Sequence, residues 1–315
     1  MISLFCSLLV AGGPQTYCIA DSSQVSIVRE HGEGYSLITR KNLNYKDKEA
    51  VVAATWTKQA YFVLLSSPNR QSFQVARYNL RNKTWKQVPL AGTAGDFSTL
   101  STVDNQCLVI GKKFATISES LKFSKPVDLT LDSTFTRVNQ NNRSEVWVTN
   151  ATGFKEAMVN IRLTRIRSSA GTLTRSTFDL MDMPLWAGSY RGKPTYTDGI
   201  NIYCYNSKEW ETFPLASRKN DIISEIHIGS TGSVVVVGRE NVMWQKSLNE
   251  SLGSKLFAHD GKQVSVQMFG QECILINHTG TWAEIYKLNM TSGVLEKSTL
   301  KVGSEPPTFV TALDG

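Results

Sequence analysis

The sequence predicts an all-β chain, and three observations carry that expectation. Short runs of β-branched, apolar and aromatic residues recur from end to end, no run carries a helical stripe, and one phrase is written twice. The runs are VSIV from Val25, YFVLL from Tyr61, CLVI from Cys107, VWV from Val146, LWAG from Leu185, SVVVVG from Ser233 and CILI from Cys273. Each is bounded by Gly, Asn, Asp, Ser or Pro, the pattern of short buried strands between turns.

The repeated phrase is ARYNLRNKTWKQVPL at residues 76–90 and IYCYNSKEWETFPL at 202–215. Tyr78, Trp85, Pro89 and Leu90 match Tyr203, Trp210, Pro214 and Leu215, each 125 positions on, which is three intervals near 42. Tyr286 follows Tyr203 by 83 residues, and Tyr286-Lys287-Leu288 repeats the Tyr-x-Leu of Tyr78-Asn79-Leu80. Steps of 42 also fall on or near Tyr35, Leu121, Ile161 and Trp244. A period of about 40 to 50 residues marks the four-stranded blade of a β-propeller. Residues 21–315 are therefore expected to form one propeller domain of seven blades. A six-bladed ring stays open if residues 21–50 supply only an extra strand. VSIV and YSLIT at the start are expected to share a sheet with TFVTALDG at the end, closing the ring. Segments 112–145 and 154–184 fit the period less well and are expected to hold long loops.

Packing gives the repeated residues a reason. Blades pack face to face, so each must offer its neighbour a large apolar group, and a tryptophan buries on the order of 200 Å². Trp85 and Trp210 are expected in that role. NLRNKT and CYNSKE would turn from a third strand to an outer fourth. Pro89 and Pro214 would end the outer strands, because proline cannot donate within a ladder.

These two segments resemble the second half of a kelch repeat, with its tyrosine, six intervening residues and tryptophan. The Gly-Gly doublet that kelch repeats usually carry after the second strand is not in place, and only single glycines stand in VVVVG and LVIG. The resemblance covers about 30 residues and implies a β-propeller. Its functional breadth leaves function to be argued from the site.

The first twenty residues, MISLFCSLLVAGGPQTYCIA, carry no charge. An apolar run from Ile2 to Ala11, a Gly12-Gly13-Pro14 break and a small residue at Ala20 form the layout of a signal peptide over residues 1–20, cleaved before Asp21. Six sequons, at Asn82, Asn142, Asn150, Asn249, Asn277 and Asn289, point to N-glycosylation on exposed turns of a secreted protein. Cys107, Cys204 and Cys273 lie in apolar runs and are read as buried thiols. No stretch after the leader is long and apolar enough to span a bilayer. The formal net charge of +7 favours anionic extracellular partners.

Chemistry is harder to find. His31, His227, His259 and His278 lie in no nucleophile context, and Asp179 and Asp182 would need a turn to converge. No metal-ligand spacing, phosphate loop or cofactor motif occurs, and basic residues do not alternate with aromatic ones as in nucleic-acid binders. Arg162, Arg165, Arg167 and Arg175 form the one concentration of charge and could clamp sulfates or carboxylates. Arg165 breaks the inward–outward alternation and predicts a bulge or a strand end there. The reading that results is an extracellular binding protein for a protein or an anionic glycan. The alternatives are a secreted propeller enzyme acting on carbohydrate and a kelch-type intracellular adaptor.

Overall fold

The computed structural model describes residues 15–32, 34–43, 49–90, 97–129, 133–155, 158–215, 223–248, 254–259, 264–279, 282–301 and 307–314. Among them every regular element is a strand, and the strands form seven antiparallel sheets of four. β1 (Thr16–Ala20), β2 (Gln24–His31) and β3 (Gly34–Asn42) come first along the chain. The first complete blade is β4 (Ala50–Thr57), β5 (Ala60–Ser66), β6 (Phe73–Asn79) and β7 (Thr84–Pro89). The second is β8 (Thr99–Val103), β9 (Gln106–Ile110), β10 (Lys113–Ile117) and β11 (Val127–Asp128). The third is β12 (Ser133–Asn142), β13 (Glu145–Lys155), β14 (Met158–Ser169) and β15 (Thr172–Leu180). The fourth is β16 (Trp186–Tyr190), β17 (Lys193–Thr197), β18 (Asn201–Tyr205) and β19 (Trp210–Pro214). The fifth is β20 (Glu225–Ile228), β21 (Val234–Val237), β22 (Asn241–Gln245) and β23 (Ser254–Ala258). The sixth is β24 (Val264–Phe269), β25 (Glu272–His278), β26 (Trp282–Asn289) and β27 (Leu295–Lys301). β28 (Phe309–Asp314) then pairs with β1, so the closing blade reads β28-β1-β2-β3. The two ends of the chain hold the ring shut, and the seven-bladed expectation is met.

The core is divided among the seams between blades. Buried apolar side chains fall into seven clusters, one for each pair of neighbouring blades. Second strands explain the apolar runs. In β5, Tyr61, Val63 and Leu65 face the closing blade, while Phe62 and Leu64 face the second. Alternate residues of a strand point to opposite faces, so a strand buried on both reads as a continuous apolar run. β9, β21 and β25 divide their residues between two seams in the same way.

β1 is another such strand, and it lies within the twenty residues assigned to the leader. All five residues of Thr16–Ala20 are buried; Tyr17 and Ile19 face the sixth blade, Cys18 and Ala20 the first. Cleavage before Asp21 would remove the strand that joins β28 to β2. Residues 1–14 lie outside the described residues. A correction concerns the two segments that fit the period poorly, although residues 118–126 do form a long connection between strands. Much of that length is strand: β12, β13 and β14 span 10, 11 and 12 residues, the longest in the ring. Of the stepped positions, Ile161, Trp244 and Tyr286 lie in third strands, whereas Tyr35 lies in an outer strand and Leu121 just beyond β10.

The repeated phrase sits where expected, in third strand, turn and outer strand of the first and fourth blades. Pro89 and Pro214 end β7 and β19, and the amide of the following leucine donates to Phe73 O (2.9 Å) or Ile200 O (2.8 Å). Each turn is also braced by an asparagine. Asn79, Asn206 and Asn289 accept two backbone N–H bonds apiece from the residues two and three positions on, the Asx geometry that favours asparagine in turns.

Candidate functional site

The first strands of the blades, β4, β8, β12, β16, β20, β24 and β28, surround a central cavity of about 980 Å³. Among these first strands β4 touches β8 and β28, β16 touches β12 and β20, β24 touches β28, and β12 also reaches β24 on the far side. The sequence of these strands is mixed because one face meets a seam and the other meets the channel.

Several of the channel's polar side chains hold neighbouring blades together. Thr55 and Thr102 share a hydroxyl hydrogen bond of 2.7 Å between the first and second blades. Ser101 donates to Gln140 Oε1 (2.6 Å), and Gln140 Nε2 returns a bond to Thr102 O, joining second to third. Arg137 Nη1 reaches Leu185 O (2.6 Å) and Pro184 O (3.2 Å), joining third to fourth. Gln267 donates to Thr311 Oγ1 and accepts the Ala312 amide (2.6 Å), joining sixth to closing. Such bonds satisfy buried polar groups that would otherwise cost free energy.

One mouth of the channel is built from three hairpin turns. Asn105 Oδ1 accepts the Lys58 amide (2.5 Å), and the Asp104 amide donates to Arg143 O (2.7 Å). Asp104 and Asn105 both have left-handed φ, 44° and 67°, as a two-residue hairpin turn demands. The Arg143 guanidinium lies 4.5 Å from the centre of the Trp56 ring, a cation–π arrangement. Lys58 and Arg143 are exposed at this rim, and Arg137 lines the wall below.

A pair on β20 stands apart from the staples. Glu225 and His227 are two residues apart on the strand, both line the cavity, and His227 Nε2 lies 3.2 Å from Glu225 Oε2. Sequence reasoning found His227 in no nucleophile context and assigned it no role. The readable signal was the Glu-x-His spacing, which puts both side chains on one face of a strand; which face meets the channel depends on the ring.

The four arginines on the third blade do not form one clamp. Arg162 and Arg175 project from one face of the blade, Arg165 and Arg167 from the other, and β14 runs in register past Arg165 without the expected bulge or strand end. Arg165 is an internal ion pair: its Nε donates to Glu145 Oε2 at 2.7 Å, Glu145 is 2% exposed, and the guanidinium lies 5.2 Å from the Trp147 ring centre. Burial pushes the Glu145 carboxyl up, but bonds from Ser189 and Trp147 and the charge of Arg165 outweigh it and hold it below the usual range. Arg162 meets Asp179 at 3.4 Å, and Arg175 Nη1 donates to Asp128 O at 2.9 Å. Arg167 is exposed.

The sequons divide as well. Asn82 and Asn289 are exposed in third-to-fourth-strand turns. Asn142 ends β12, with its side chain outside the described residues, and Asn249 lies outside them altogether. Asn150 and Asn277 are buried, correcting the expectation of exposed turns: Asn150 Nδ2 donates to Thr136 and Asn277 Nδ2 to Glu284, each at 3.0 Å. Cys18, Cys107, Cys204 and Cys273 are buried free thiols, and burial raises the pKa of each.

No family model matches the chain, and no curated protein matches it. Solved structures do. A catalytically inactive variant of virginiamycin B lyase from Staphylococcus aureus, solved with quinupristin, aligns over 94% of this chain and 97% of its own, with TM-score 0.52 and 11% identity. The β-propeller domain of the Trilobed protease from Pyrococcus furiosus, described as having an open velcro topology, covers 93% and 97%, with TM-score 0.52 and 12% identity. Hsv2 from Kluyveromyces marxianus covers 87% and 93%, with TM-score 0.54 and 8% identity. At these identities the likeness is one of fold: the chain is a seven-bladed β-propeller.

Proposed function

We propose that the chain is a secreted, N-glycosylated, kelch-like propeller that binds an extracellular protein or glycan through anionic groups seated at the mouth of its channel. One observation carries this reading. A cavity of about 980 Å³ opens among all seven first strands, with Lys58, Arg137 and Arg143 set against Asp104 and Glu225. That volume is within the range of ligand sites, about 300 to 1,000 Å³. The mouth replaces the third-blade arginines as the anion site, since Arg165 is committed to Glu145. Secretion is supported by the uncharged run before Pro14 and by the exposed sequons at Asn82 and Asn289. The leader would end before Gln15, whose amide is bound to Glu30 (3.0 Å). The kelch-like relation is supported by the third-strand tyrosine and outer-strand tryptophan of two blades.

Heparin chromatography tests the site. Retention should fall steeply with salt, as long-range attraction does, and Lys58→Ala with Arg143→Ala should elute earlier than Arg162→Ala with Arg167→Ala. Equal elution of the two double variants, or salt-insensitive retention, ends the proposal. Protein from its native cells should carry glycan at Asn82; a bare Asn82 there returns the intracellular adaptor reading. A second reading, an enzyme acting on carbohydrate, is favoured by the Glu225–His227 contact inside the channel. Turnover of a sugar substrate that Glu225→Gln abolishes would establish it.

A further inference from the structure

We propose that the mouth-side edge of the first blade is a docking track for a linear sulfated glycan, leading outward from the channel. The track rests on the reading of the mouth as an anion site and names the class of anion that reaches it. Charge is divided unequally among the blades. Residues 50–90, the first blade, carry Lys58, Arg70, Arg77, Arg81, Lys83 and Lys86 and no acidic side chain. The fourth blade, over 186–214, carries three Lys or Arg and three Asp or Glu, and so does the sixth, over 264–301. One blade is therefore +6 in a chain of net charge +7.

The fold sets most of these charges along one edge. Lys58 lies in the turn between β4 and β5, at the mouth, and Arg81 and Lys83 lie in the turn between β6 and β7. The turns are neighbours, two strand spacings or about 10 Å apart, and the Leu80 amide donates to Gln59 O at 2.9 Å. Arg77 and Lys86 stand directly opposite each other, two rungs below Asn79 and Thr84. Arg70 is in the turn at the other edge. Among the described residues none of the six side chains forms an ion pair.

Stability does not explain this gathering. Like charges directly opposite in a ladder repel, and Arg77 is only 5% exposed. Lys83 has a left-handed φ of 54° and donates its amide to Asn79 O at 2.9 Å. Gly293 holds the matching place in the sixth blade, with φ 74° and a bond of 2.8 Å to Asn289 O. That conformation suits glycine and strains a residue with a Cβ. None of the large apolar side chains exposed among the described residues belongs to the first blade, so the edge lacks the apolar core of a protein interface. Separate cations on a solvated edge fit a chain that carries anionic groups along its length, and guanidinium and ammonium groups both bind such groups.

The probes are heparin fragments of graded length. Affinity for the wild-type chain should rise from disaccharide to octasaccharide. Lys83→Gly keeps the sequon at Asn82 and places glycine where the sixth blade has it. It should weaken octasaccharide binding about fivefold, the effect of one cation at a polyanionic surface, while the denaturation midpoint stays level or rises. Asn82 stands between Arg81 and Lys83, so trimming its glycan to the first sugar should leave octasaccharide binding equal or tighter. The proposal is overturned by a disaccharide that binds as tightly as the octasaccharide, by wild-type affinity in Lys83→Gly, or by weaker binding after trimming. Polyglutamate that binds as tightly as the octasaccharide would also overturn it, assigning the edge to an acidic protein. Failure of the mouth reads differently: octasaccharide binding would then be lost through Lys83→Gly and untouched by Lys58→Ala with Arg143→Ala.

Discussion

Two seams carry the repeated tyrosine–tryptophan phrase, and they use it differently. Between the closing and first blades, Trp85 lies directly across the ladder from Tyr78, ring centres 5.3 Å apart, and its indole donates to Thr39 Oγ1 of β3 at 3.0 Å. Between the third and fourth blades, Trp210 lies across from Tyr205, two residues beyond the Tyr203 that sequence spacing assigns to it. Its indole donates to Asp179 O of β15 at 3.3 Å. A shift of two residues along a strand keeps every side chain on its original face. Both tryptophans therefore face the preceding blade and bond to its outer strand, although their ladders are in different register. The sixth blade does the same work without an outer-strand tryptophan, stacking Tyr286 on Phe257 of the fifth at 3.9 Å. What repeats is the face and the job, and the cross-strand partner is free to change.

The seams also differ in what closes them. The closing seam depends on β1, a strand drawn from the first twenty residues, whereas the third–fourth seam is made within one stretch of chain. Removal of residues 1–14 should leave a folded ring. Removal of residues 1–20 deletes Tyr17, Cys18 and Ile19 from two seams and separates β28 from β2, so the sharp near-ultraviolet signal and cooperative unfolding should be lost. This is the largest effect expected, and a cooperative fold in the shorter chain would mean that β1 is dispensable.

The same strand shows what could be read in advance and what could not. Blade count, the third-to-outer-strand turns and the pairing of the two chain ends were legible, because strand runs and a 42-residue period are local properties. Thr16–Ala20 was read as the end of a leader because a strand buried on both faces has the same uncharged, small and apolar composition. Arg165 was misread because its partner, Glu145, lies twenty residues away on the neighbouring strand, and spacing cannot report a cross-strand ion pair. The channel pair was visible as Glu-x-His, yet only the ring shows that the first strand of the fifth blade turns that face inward.

Within the third–fourth seam the next largest effect belongs to Trp147, which the phrase does not contain. It is fully buried, packs near Phe178, and donates to Glu145 Oε1 at 3.0 Å. Trp147→Ala should cost about 3–5 kcal/mol by urea denaturation, and less than about 1 kcal/mol would argue that the seam can collapse around the gap. Glu145 adds a pH signature. A carboxyl held low in the folded state contributes stability that is present above the ordinary glutamate pKa, about 4.3, and is lost as pH falls through the folded value. Glu145→Gln should therefore be less stable than wild type near neutrality and lose less on acidification, the two curves converging in acid. Parallel curves would remove Glu145 from the seam's energetics.

The smallest effect sharpens the comparison most. Trp85 and Trp210 are both partly buried, so neither should reach the cost of emptying a fully buried site. Trp210 touches more rings: it meets Tyr196 edge-on at 4.8 Å and Tyr205 at 5.2 Å, with Phe178 at 6.3 Å, while Tyr196 itself stacks on Tyr203 at 4.4 Å. Each aromatic contact adds about 0.5–1.5 kcal/mol beyond area. Trp210→Ala should then be the costlier by about 1 kcal/mol, read as a lower midpoint at equal denaturant slope. Trp210→Phe should recover part of the ring packing but not the bond to Asp179 O, and Trp85→Phe should likewise lose Thr39. If Trp85→Ala proves the costlier, the indole bond to the preceding blade outweighs the aromatic cluster, and the job the two tryptophans share is hydrogen bonding before it is packing.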